Sequence, residues 1–394
     1  MINKENLKLG TERSAIRELF EYGKLQAEAL GDDKVFDFSL GNPSTPAPKE
    51  VDEAIIDIIK NDSSVLVHGY TSAQGALSAR KAIAASISKQ SSVNVNPDEI
   101  YITCGAAASL CAVFGALSKN DDTEFIAIAP YFPEYKVFVN GRGAKLKVVP
   151  AKTDDFQIDF DCLSNLIGKN TAGIIINSPN NPSGRVYTRE TLERLAEILE
   201  AKANEFGHPI YIISDEPYRE LVYNNIEVPF IPEIYKNTIV CYSYSKTLSL
   251  PGERIGYVYV PSFAMNSAGL YAAVAGAARS MGYVCAPSLF QRVIEKCSNT
   301  RPNLEDYRHN RDLLYHSLTS FGYECASPDG AFYLFVKAPN GDGDRFSEMA
   351  KNKNVLIVPG ASFGCKEFVR ISYCVDTKKV ECALPLFKEL IEEC

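Results

Sequence analysis

Lys246 stands in "CYSYSKTLSLPGERIGYVYV", residues 241–260, between two hydroxyl residues, Ser245 and Thr247, with Arg254 beyond a Pro-Gly turn. A lysine amine acts as nucleophile or base only when deprotonated, so a catalytic one needs its ordinary pKa of roughly 10.4 lowered. Arg254 can contribute to that lowering and can also clamp a phosphate. Asp215 ends the apolar run "PIYIIS" and opens "DEPY". A carboxylate there costs desolvation energy unless a cation or an N–H meets it; otherwise it is a helix cap or a rim acid. In "SPNNPSG", Asn180 and Asn181 before Pro182 make a rigid turn that either presents a side-chain amide or is a plain surface turn. Gly105, Ala106 and Ala107 follow "EIYITC" and open a helix. Small residues at a helix start let free N–H groups approach an anion, although the same composition serves close packing. Arg370, inside the apolar "FVRISY", offers a planar fork for a carboxylate or one half of a structural salt bridge.

These residues share a placement. Each of the first four groups follows a segment that reads as a strand, and ligands of open α/β sheets sit beyond the carboxyl ends of the strands. "EIYITC", "EFIAIAPYF", "AKLKVVPA", "AGIIIN", "PIYIIS" and "TIVCYSYSK" are apolar runs separated by helical patterns such as "TRETLERLAEILEAKANEFG". The periodicity predicts a mostly parallel sheet covered on both faces, an α/β fold with an αβα three-layer domain. It places Lys246 at the end of a strand. Helical spacing over 12–30 and a changed pattern beyond residue 285 predict a smaller α+β domain. The expected division is 46–285 for the large domain and 1–45 with 286–394 for the small one, with a cleft between them.

The 394 residues are 46% hydrophobic and 23% charged, with a formal net charge of -8 and a mean hydropathy of -0.11. That balance argues against nucleic acid and against anionic membrane as partners. Neither the start of the chain nor the run "AGLYAAVAGAARSMGYVCAP", which contains Arg279, reads as a signal peptide or membrane span. The eleven cysteines are odd in number and form no CxxC pair, which points to free thiols, a cytoplasmic setting and no metal site.

Taken in order, "NSPNNPSG", "SDEPYREL" and "SYSKTLSLPGERIGY" resemble the class I aminotransferases, pyridoxal-phosphate enzymes that include aspartate aminotransferase. The resemblance spans nearly the whole chain, from "FSLGNPS" to "FVRISYC". It implies that Lys246 bonds pyridoxal 5'-phosphate covalently, that Asp215 meets the pyridinium N–H, and that Tyr218 and Asn181 reach the ring hydroxyl. Phe132 in "PYFPEY" matches the aromatic residue stacked on the ring. Gly105, Ala106, Ala107, Ser243, Ser245 and Arg254 would hold the phosphate. Tyr70 in "HGYTSAQG" matches a tyrosine that reaches the phosphate of a neighbouring subunit, which implies a homodimer. Arg370 and the backbone of Gly41, with Asn181, would hold the substrate α-carboxylate. The implied activity is ping-pong transfer of an amino group between an L-amino acid and a 2-oxo acid. A C–S β-lyase, other chemistry on the same cofactor, and an aromatic- or alanine-type transaminase remain open. One departure bears on substrate: many aspartate-specific relatives carry a lysine where Ala107 stands, so Arg279, Arg142 or a partner-subunit residue would have to replace it. His68 either lines the substrate pocket or lies at the surface.

Overall fold

The computed structural model describes residues 1–12 and 14–394; Arg13, within the expected helix 12–30, lies outside the described residues. In chain order the strands are β1 (Phe36–Asp37), β2 (Ile100–Thr103), β3 (Glu124–Ile128), β4 (Lys145–Val149), β5 (Thr171–Asn177) and β6 (Tyr211–Glu216). They continue as β7 (Thr238–Ser243), β8 (Gly256–Tyr259), β9 (Tyr333–Lys337), β10 (Val355–Leu356), β11 (Val358–Pro359) and β12 (Phe368–Ser372). The large sheet has the order β2-β8-β7-β6-β5-β3-β4. All its pairings are parallel except those of β8, which runs against both neighbours. The fold is α/β, as the alternating pattern predicts.

Strand composition explains why both faces are covered. Ile174 and Ile176 of β5 point to one core with helices Phe160–Leu166 and Arg189–Phe206, while Ile175 points to the opposite core with helix Ala106–Leu117. A strand apolar on both faces is stable only between two helical layers. The long helix Arg189–Phe206 is set at its start by Thr188, whose side chain accepts from Thr191 N, and ends on left-handed Gly207.

The smaller unit has the antiparallel sheet β11-β12-β9 and the parallel pair β1-β10. Phe36 pairs with Val355, so the N-terminal segment belongs with the C-terminal part. Helix Ser288–Cys297, expected in the small domain, departs from that expectation. Its buried Val293, Ile294 and Cys297 share a core with Val51, Ile58 and Ile83 of the large unit's helices, because that apolar face completes their packing. No helix among the described residues is long and apolar enough to cross a membrane.

Candidate active site

Strands β5, β6 and β7 end side by side, with Asn177 opposite Asp215 and Asp215 opposite Cys241. Above these ends lies a cavity of about 280 Å³ between the two units. Its wall includes Gly41, Ala106, Ala107, Phe132, Asn181, Asp215, Tyr218, Ser243, Ser245, Lys246, Arg254 and Arg370. Twelve residues scattered over the sequence are thus gathered by the topology into one space. A wider hollow of about 670 Å³, lined by Lys89, Arg219 and Arg301 among others, contains none of them.

Lys246 lies in a single helical turn, Tyr244–Thr247, and not at a strand end as expected. The ladder stops at Ser243 because its hydroxyl caps the turn, accepting from Ser245 N, and the chain curls. The curl aims Lys246 Nζ across the cavity, where it donates to the Gly41 carbonyl at 2.6 Å and stands 5.5 Å from the Phe332 ring centre. Burial pushes its pKa down to about 8; Cys374 opposes this, and the positive charges of Arg254 and Arg370 reinforce it.

Asp215 is buried at the end of β6. Its Oδ2 accepts from Tyr135 Oη at 2.6 Å, and its Oδ1 is buried with no hydrogen-bond partner. Burial lifts its pKa to about 7, with Tyr135 pulling it down and Glu216 pushing it up. A carboxylate oxygen left unpartnered in such a place costs stability, and that cost is removed when a positive N–H donor arrives.

The opposite wall carries Arg370, 2% exposed. Its Nη1 donates to Asn181 Oδ1 at 3.0 Å and its Nη2 to the Ser39 carbonyl, while Nε has no partner. The guanidinium sits 4.6 Å from the Tyr333 ring centre and 5.0 Å from that of Phe363. Among the described residues its hydrogen-bond partners are an amide and a carbonyl, not a carboxylate, so the salt-bridge alternative is not what the structure contains. Tyr218 Oη meets Tyr333 Oη at 2.9 Å.

A third group surrounds one end of the cavity. Gly105, at φ 84°, caps helix Ala106–Leu117, whose first N–H groups have no partner within the helix. A Cβ at Gly105 would lie 2.8 Å from Arg254 Nη2, so only glycine permits that approach. Arg254 donates to the Pro251 carbonyl at 2.9 Å and the Cys104 carbonyl at 3.3 Å, and the Ser243 and Ser245 hydroxyls meet at 2.8 Å. Backbone donors, hydroxyls and a guanidinium in one corner form a cradle for an anion.

Phe132 lines the cavity and packs edge-to-face on Tyr135, with ring centres 5.7 Å apart. Tyr70 is fully exposed and lies off this cavity, His68 is exposed, and neither Arg142 nor Arg279 lines the wall. Sequence reasoning missed Tyr135, Asn177 and Tyr333. Asn177 donates to the Asp215 carbonyl at 2.9 Å and accepts from Asn181 N at 2.8 Å, tying two functional loops together. Tyr135 had a signal, since it follows Phe132 by one helical turn in "PYFPEY". Tyr333 had none, because β9 brings it from far along the chain. Gly41 is tight against it: a Cβ there would lie 2.0 Å from Tyr333 Oη. Gly41→Ala is therefore expected to lower stability by about 1–3 kcal/mol, read as a lowered melting temperature.

The model of the family "Aminotransferase class I and II" matches residues 33–385. The chain belongs to this family and is an enzyme, a transferase related to the aspartate aminotransferases in sequence and fold. It is 30% identical over 390 residues to an aspartate aminotransferase of Pyrococcus horikoshii, covering 97% of this chain and 95% of that one. It is 28% identical to aromatic-amino-acid aminotransferase 2 of Thermococcus litoralis, with 96% of each chain covered. The crystal structure of an amino transferase from Eubacterium rectale superposes with a TM-score of 0.98 at 55% identity, covering 100% of this chain and 99% of that one.

Proposed function

We propose that this enzyme uses pyridoxal 5'-phosphate to move an amino group from an L-amino acid to a 2-oxo acid in two ping-pong half-reactions. One observation carries the reading: a single cavity pairs a buried, unpartnered carboxylate oxygen, Asp215 Oδ1, with a half-buried amine, Lys246 Nζ, whose pKa lies near 8. The first fits a protonated ring nitrogen, the second an aldehyde carbon, and the cradle around Gly105 a phosphate. When bound, the protonated ring withdraws electrons from the substrate Cα and acidifies its proton.

The residues then have distinct tasks. Asp215, ionised, keeps the ring nitrogen protonated by its charge. Lys246 would hold the cofactor through its aldehyde carbon and would also be the base that moves the substrate's Cα proton, for which a pKa near the working pH is suited. Tyr218 and Asn181 hold the ring hydroxyl and Phe132 stacks on the ring. Gly105, Ala106, Ala107, Ser243, Ser245 and Arg254 hold the phosphate. Arg370 takes the α-carboxylate with donors that include the free Nε, and Gly41 adds a backbone contact. We further propose a cytoplasmic homodimer in amino acid metabolism, with Tyr70 reaching the partner's phosphate; the full exposure of Tyr70 beside exposed Val65 and Leu66 supports this. The proposed large domain runs from residue 46 to about 297, and the small one takes the rest.

Mixing the cofactor-loaded protein with a panel of L-amino acids tests the reading. The absorbance of the aldehyde form should give way to that of the amine form, and a 2-oxo acid should restore it. Pyruvate release from cystathionine without an acceptor acid would assign a lyase instead. Tyr135→Phe should lower kcat/KM about ten- to a hundredfold at pH 7, the loss of one hydrogen bond to a charged group. The acidic limb of its pH profile should move upward, because Asp215 loses the donor that favours its ionised form.

A further inference from the structure

We propose that this site takes amino acids with one carboxylate and an apolar side chain, aliphatic or aromatic, in preference to aspartate or glutamate. The inference rests on the aminotransferase reading above and adds the substrate class to it. Among the described residues the cavity wall carries three cationic side chains, Lys246, Arg254 and Arg370. Each has a task elsewhere. Arg370 is held by Asn181 and Ser39 in the place that suits an α-carboxylate, and Arg254 turns to the Cys104 and Pro251 carbonyls beside the anion cradle. Lys246 faces Gly41 and reacts at the cofactor.

Beside Arg370 the wall holds Asn181, Tyr218 and Tyr333, which are uncharged, and its other side chains next to them are apolar. Ile16 enters it from helix Ala15–Leu30 and packs on the cluster that contains Phe363, the ring beneath the Arg370 guanidinium. Leu40 lines it between Ser39, whose carbonyl holds Arg370, and Gly41, whose carbonyl accepts from Lys246. Ala107 adds a small neutral surface. A second carboxylate among these residues would lose its water and gain no cation. An apolar side chain in the same space would leave water favourably. Amino transfer would need no outside oxidant: the amino acid's nitrogen and α-hydrogen would pass to the cofactor and the oxygen of the 2-oxo acid would come from water, so only the side chain distinguishes substrates.

The test compares kcat/KM of the first half-reaction for leucine, phenylalanine, aspartate and glutamate on the cofactor-loaded enzyme. Leucine or phenylalanine should exceed aspartate by at least about tenfold. Ile16→Arg should narrow that ratio by raising the aspartate value; an unchanged ratio would overturn the role given to Ile16. Aspartate or glutamate ranking first, including through a cation brought by a second copy, would overturn the substrate class and leave the transaminase standing. Conversion by none of the four, with cofactor bound, would overturn the transaminase reading itself.

Discussion

Lys246→Ala is expected to lower amino transfer by at least about a thousandfold, because in the proposed mechanism the variant would lose the base at Cα together with the attachment of the cofactor. Steady-state turnover measures the loss. The wild-type protein should be fixed to its cofactor by borohydride, and the variant should not. A separate consequence concerns stability. In the fold the Lys246 pKa is about 8, below its ordinary 10.5, because burial disfavours the ammonium. Below about pH 8 the folded, cofactor-free protein carries the cost of a buried charge. Between about 8 and 10.5 the folded amine is neutral while the unfolded one is still protonated, so stability rises with pH across that window. Lys246→Met, which keeps the length of the side chain, should therefore stabilise the cofactor-free protein at pH 7 by on the order of 3 kcal/mol, and by much less at pH 10. Melts at the two pH values decide it; a gain equal at both would mean that charge burial is not its source.

Asp215→Asn should cost at least about a hundredfold in kcat, the scale of losing a preorganised charge from an active site. It should also stabilise the cofactor-free protein. The carboxyl pKa is about 7 in the fold against an ordinary 3.8, with burial as the main cause. The folded state then holds a proton that the unfolded state has released between about pH 4 and 7, so the penalty grows through that window and is complete above it. The variant's advantage should be present at pH 8 and absent near pH 4. Cofactor loading should reverse the order, because the proposed ring N–H donor to Oδ1 would offset the penalty in the wild type alone. A larger melting shift on loading in the asparagine variant than in the wild type at pH 8 would contradict the role given to this oxygen.

Much of this was legible in the amino-acid order, and for identifiable reasons. Doubly apolar runs such as "AGIIIN" and "PIYIIS" can be stable only between two helical layers, and such sheets put their loops at the carboxyl ends of the strands. Lys246, Asp215, Asn181 and Gly105 stand directly after those runs, so their convergence follows from local pattern plus one topological rule. Where local pattern is weaker, the fold departs from the expected elements. Lys246 looked like strand because its neighbours alternate, yet the Ser243 hydroxyl captures the Ser245 amide and ends the ladder. Helix Ser288–Cys297 looked like the start of the small domain, yet its apolar face is complementary to helices much earlier in the chain.

Local residue order sets the sheet, the loops that carry Lys246, Asp215 and Asn181 and the chemical types gathered there, since each depends on neighbours within a few residues. How those groups are poised follows from long-range packing: Asp215 keeps one bare oxygen, the Gly41 carbonyl accepts from Lys246, Tyr333 bridges Tyr218 and Arg370, and Ile16 closes the wall. These depend on burial and on contacts between distant segments, and both the loss of water and the distance to a partner charge are properties of the packed interior.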